Sequence, residues 1–223
     1  NINLIEQYAF GGCTGITNIT FSKELKSIQK GAFENCSGIK TLNLPNKLIS
    51  IGESAFEGCT GIKKLELPNS VTTIEQEAFS ECYGLTEITL SNQLTRINIG
   101  TFYKCSRLTS VIIPDSVTTI SSTSWDWEKA FGGCTNLEKI LIPDSVATIS
   151  TGSFEGCSKL TIYGNDGMKS KEFAEENNIK FDYIANWDKK DTGDDVTAPA
   201  VEKIEISEDS IKNCTRDTNT KSY

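Results

Sequence analysis

The sequence predicts a mainly β solenoid of about seven 23-residue coils, closed at its C-terminal end by a short capping helix and strand. Three observations lead there. Phe10, Phe33, Phe56, Phe79, Phe102, Phe131 and Phe154 recur at spacings of 23, 23, 23, 23, 29 and 23 residues. A period of this size marks units that bury their apolar faces only against their neighbours. Seven of the eight cysteines (Cys13, Cys36, Cys59, Cys82, Cys105, Cys134 and Cys157) share one column of that period. The regularity stops near residue 163, where a helical and then a strand-like pattern begins.

Within one coil the elements follow in a fixed order. Three residues after each cysteine stands Ile16, Ile39, Ile62, Leu85, Leu108, Leu137 or Leu160, followed at L-x-x-L-x-L spacing by pairs such as Leu65 and Leu67 or Val111 and Ile113. That is the strand half of a leucine-rich repeat, in which alternate side chains point inward. Pro45, Pro68, Pro114 and Pro143 then end the strand, because proline has no amide to donate to a ladder. The chain returns through pairs such as Val71 and Ile74, expected as a second short extended segment, and closes on an A-F-x-x-C corner. Glycines beside the corners, as in Gly132-Gly133, read as turn residues.

These residues resemble the BspA-type leucine-rich repeat. The phrases that carry the likeness are A-F-x-x-C, L-E-L-P-N-S-V-T-T-I at 65–74 and I-I-P-D-S-V-T-T-I at 112–120, and it covers residues 4–163. It extends into L-T-I-Y-G-N-D-G at 160–167 and E-F-A-E-E-N-N-I-K-F at 172–181, which are similar to the closing unit of such arrays. The resemblance implies a bacterial, secreted or cell-surface protein engaged in binding, adhesion or display. The domain organisation read from the chain is an array over 1–163, a cap over 164–185, an acidic linker over 186–199 and a strand-forming extension over 200–223. The phrase V-E-K-I-E-I-S-E-D-S-I at 201–211 resembles the opening of a bacterial immunoglobulin-like module, although fewer than thirty residues remain where that fold needs about one hundred. Opening inside a repeat suggests a mature or excised fragment.

Composition narrows the function. With 22 basic against 30 acidic residues, the net charge of −8 offers no footprint for nucleic acid or anionic lipid. No apolar run is long enough for a membrane-spanning helix. Histidine is absent, which removes Ser-His-Asp and Cys-His pairs and H-E-x-x-H, and the chain has no phosphate-binding glycine loop. The expectation is therefore a protein that is not an enzyme and needs no metal or cofactor. Stacked coils place equivalent cysteines about 4.7–4.9 Å apart with parallel side-chain vectors, adjacent but badly aimed for a disulfide. The column is expected to be a ladder of seven buried free thiols.

Two departures from the period mark candidate binding sites. Between Ile120 and Phe131 the repeat gains six residues, and this insertion carries Trp125 and Trp127. An exposed tryptophan stacks on sugars or anchors a protein partner; the alternative is that the rings fold back over a neighbouring corner. The outward middle position of the strand reads Thr20, Asn43, Glu66, Thr89, Ile112 and Leu141, turning from polar to apolar in its last two members. Ile112 beside Leu141 suggests a recognition patch, unless the C-terminal tail covers it. The function read from the sequence is a non-catalytic cell-surface or secreted module recognising a protein or glycan. The alternative is a passive spacer displaying other domains of a larger surface protein.

Overall fold

The computed structural model describes residues 2–121 and 129–188. The chain divides after Asp188, and every described element belongs to the unit before that point. The insertion with Trp125 and Trp127, the extension over 200–223 and Cys214 lie outside the described residues.

Each coil turns through three sides, two of them parallel strand ladders and the third the corner. The first face carries the L-x-x-L-x-L strands. Lys64–Glu66 pairs with Glu87–Thr89, while Ser110–Ile112, Lys139–Leu141, Thr161–Gly164 and Lys180–Tyr183 form a four-stranded parallel sheet. The earlier coils contribute only single bridges, Asn18 to Thr41 and Leu42 to Leu65. The return face carries two-residue strands at Leu4–Ile5, Ser27–Ile28, Ser50–Ile51, Thr73–Ile74, Arg96–Ile97, Thr119–Ile120 and Thr148–Ile149. It divides into two parallel sheets between Thr73–Ile74 and Arg96–Ile97. At that break the Asn98 side-chain amide donates to Ile74 O at 2.6 Å, taking the acceptor that a main-chain amide uses one coil earlier, from Glu75 N to Ile51 O at 2.9 Å.

The A-F-x-x-C corner is a run of tight turns whose alternate amides reach the next coil. Gly31, Phe33 and Asn35 donate to Glu53 O, Ala55 O and Glu57 O at 2.8, 2.8 and 2.6 Å, and later coils repeat the pattern. Facing every donor toward the following coil requires left-handed backbone on both sides of the phenylalanine. Glycine serves this at Gly31 and Gly58 (φ 59° and 67°), whereas Asn35, Glu77, Glu81 and Lys104 accept the same conformation. Inside the corner the phenylalanine rings stack face to face, with centroids 5.1–6.0 Å apart from Phe10 through to Phe154.

The thiols form the ladder expected of them, with one correction. Cys36, Cys59, Cys82, Cys105, Cys134 and Cys157 are free and buried, and each donates its Sγ–H to the carbonyl of the corner phenylalanine one coil back, at 2.9–3.3 Å. Burial pushes the Cys59 and Cys105 thiols up to about 12. Cys13, expected to be buried, is exposed: it belongs to the first coil, and no earlier coil among the described residues covers it or offers it a phenylalanine carbonyl. Phe10 is 41% exposed for the same reason. Cys134 reaches Phe102 O at 3.1 Å across the insertion, so the six added residues do not disturb the stacking register.

The capping helix α1 runs from Lys169 to Glu176. It buries Phe173 and Ala174 and sets the Phe173 ring edge-on to Phe154 at 5.9 Å, so the aromatic stack ends on a ring turned across it. Lys180–Tyr183 then pairs in parallel with Thr161–Gly164 and covers the edge of the first face.

Candidate functional site: an apolar stripe on the first face

Strand registry assembles the site. Leu141 lies opposite Ile112 on one side and opposite Tyr163 on the other, so three outward positions form one row across three coils. Ile112 is 55% exposed, and Leu141 and Tyr163 are half-buried. A fourth member arrives from outside the repeat. The 3-10 turn Ile184–Asn186 swings Trp187 back onto the sheet, with its indole edge-on to Tyr163 at 5.2 Å and 90°.

Lys139 fixes that ring. Its Nζ lies 4.3 Å from the Trp187 ring centroid and donates to Trp187 O at 3.1 Å, a cation–π contact combined with a hydrogen bond. Asp182, next in the row after Tyr163, accepts from Tyr183 N at 2.8 Å and Asn186 Nδ2 at 2.6 Å, which shapes the turn that carries Trp187. At the other end of the row Thr89 and Glu66 are polar and exposed, and Lys64 pairs with Glu66 at 2.8 Å and Glu87 at 3.8 Å. The arrangement is an apolar centre with a charged margin, built on rigid strands.

Of the residues singled out from the sequence, Ile112 and Leu141 stand together as expected, whereas Trp125 and Trp127 lie outside the described residues. The repeat pattern does not reveal Tyr163 or Trp187. Leu141 pairs with Tyr163, 22 residues on, so the last coil is one residue short and a strict 23-residue reading lands on Gly164 instead. Trp187 gives no periodic signal and falls in the stretch expected to be linker, but its ring contacts with Tyr163 and Lys139 place it on the sheet. Among the described residues, no group of three or more Cys, Asp or Glu side chains is arranged to hold a metal ion, and no helix is long and apolar enough to cross a membrane.

The chain belongs to the family of the BspA type leucine rich repeat region, whose model matches in six copies over residues 3–129 and 127–181. Among solved structures it is similar to a leucine-rich repeat protein of T. pallidum, at 25% identity and a TM-score of 0.65, with 81% of this chain and 79% of that one covered. It also shares its fold with a leucine rich cell surface protein from Faecalibacterium prausnitzii A2-165, at 22% identity and a TM-score of 0.56, covering 78% of this chain and 60% of that one. No curated protein matches the chain. The chain is a leucine-rich repeat scaffold of the BspA type.

Proposed function

We propose that this chain is a non-catalytic binding module of a bacterial cell surface or secreted protein, and that it recognises a protein partner through Ile112, Leu141, Tyr163 and Trp187. The observation that carries the reading is the continuity of this apolar row across neighbouring strands whose other outward positions are polar. Aromatic and aliphatic anchors held on rigid strands lose little entropy on association, and a charged margin suits the rim of an interface. Family membership and the fold shared with a surface protein support the location. Trp125 and Trp127 on the inserted corner are a second anchor of the same proposal, suited to protein or to the faces of sugar rings.

The test is a screen of the purified chain against extracellular-matrix proteins and glycans, followed by substitution. Ile112→Ser, Leu141→Ser and Trp187→Ala should each weaken binding by roughly 2 kcal/mol, as anchors do, with circular dichroism unchanged. Thr20→Ser and Asn43→Ser, in the same row but on the polar coils, should leave affinity unaltered. Equal indifference at all of these positions would leave the spacer as the better description.

A further inference from the structure

The cap closes two sides of the last coil and leaves the third open. α1 packs beside the return strand Thr148–Ile149, and Lys180–Tyr183 pairs with the first face. Among the described residues, nothing stacks on the main chain of the last coil's corner. At inner corners three alternate amides donate to the next coil, as Ser54, Phe56 and Gly58 do to Gln76 O, Ala78 O and Ser80 O at 3.0, 2.9 and 2.9 Å. Their counterparts Gly152, Phe154 and Gly156 have no acceptor among the described residues. Phe154 O likewise has no thiol there, although the corner phenylalanine carbonyls of the six coils before it each accept one.

These groups open into a groove of about 760 Å³, lined on the coil side by Gly152, Phe154, Gly156 and Lys159 and on the cap side by Asn178 and Lys180. Gly152 and Gly156 hold the left-handed backbone (φ 82° and 80°) that aims corner amides toward a following coil. The groove therefore has the donor pattern of an internal coil interface without its acceptor corner.

We propose that this groove docks a segment of a partner polypeptide folded as one more corner, which adds one rung to the corner ladder by accepting from the Gly152, Phe154 and Gly156 amides. Corner amides at alternate residues are matched by carbonyls at i, i+2 and i+4 of a following run of tight turns, as Gln76 O, Ala78 O and Ser80 O meet Ser54, Phe56 and Gly58, so that main-chain hydrogen bonds carry the docking as they do in peptide recognition by backbone pairing. The interface repeated within the array specifies the rest. The position over Phe154, filled by phenylalanine in inner coils, is taken by Phe173, so the incoming segment carries alanine or glycine there. Three residues later a hydroxyl or thiol donates to Phe154 O, as Cys82 does to Phe56 O at 3.3 Å. This site is separate from the apolar stripe, and either can fail without the other.

The probe is a synthetic peptide copying residues 75–82 with Phe79→Ala and Cys82→Ser, titrated into the full chain and followed by amide hydrogen exchange. In the free protein the Gly152, Phe154 and Gly156 amides should exchange at least about a hundredfold faster than the equivalent Ser54, Phe56 and Gly58 amides. Saturating peptide should slow those three by about tenfold or more and leave the inner corners unchanged. The unaltered peptide, keeping its phenylalanine, should bind more weakly because Phe173 occupies its slot. Ser158→Trp, at the exposed wall of the groove, should abolish the effect while inner-coil protection stays intact. Slow exchange of the three amides in the free chain, or no added protection from the peptide, would overturn the proposal.

Discussion

A cysteine in this corner acts as a small buried hydrophobe with one directed hydrogen bond, and its chemistry follows from that burial. The ordinary thiol ionises at about 8.5, whereas Cys59 and Cys105 are pushed up to about 12 because a buried thiolate is desolvated. An unfolded chain therefore loses these protons first as pH rises. The unfolded state binds fewer protons than the native one, and stability falls between about pH 9 and pH 12, by about 1.4 kcal/mol per pH unit for each such thiol. Urea titrations from pH 7 to 11 should show this slope. Cys59→Ala should cost about 1 kcal/mol at pH 7 and make the alkaline slope shallower. An unchanged slope would mean that Cys59 does not carry the effect. Thiol titration of the native protein should label Cys13 quickly and the buried six slowly, because access sets the rate.

At the scale of the element, a coil is specified by positions whose neighbours lie one period away. Gly61 shows this: a β-carbon there would stand 2.5 Å from Ile39 O and 2.7 Å from Ser37 O of the preceding coil. Gly61→Ala should destabilise the array by about 1–3 kcal/mol through main-chain displacement, measurable as a lowered urea midpoint. A neutral result would show that adjacent coils separate there at little cost. Glycine repeats at this place in the first four coils (Gly15, Gly38, Gly61 and Gly84) and gives way to Arg107, Asn136 and Lys159 in the later ones; the reason for it at Gly61 is not legible, since the clash involves an atom 22 residues away. The strand row behaves in the same way. Ile112 and Leu141 could be read as neighbours because the inserted corner leaves strand registry intact. Tyr163 could not, because the last coil is one residue short.

Over the whole molecule, stability is close to a sum of coil and interface contributions, so damage at one end stays there. Phe173 ends the ring stack against Phe154, and Phe173→Ala should lower hydrogen-exchange protection at Cys157 and Leu160 while amides around Phe56 keep theirs. Uniform loss along the array would instead mean that the coils melt as one unit. Sequence alone determined the repeat, the two strands per coil, the corner, the thiol column and the helix-and-strand cap. Each of these rests on local patterning, which for the coils survives translation by one period. Tertiary structure decided what breaks translation: that Cys13 is exposed, that Asn98 interrupts the return sheet, and that Trp187 folds back onto Tyr163 under Lys139. It also decided that the cap covers two sides of the last coil and leaves the corner amides of Gly152, Phe154 and Gly156 open. These outcomes depend on which groups lie across an end or a turn. Such groups come from unrelated stretches of chain, and only the folded geometry brings them together.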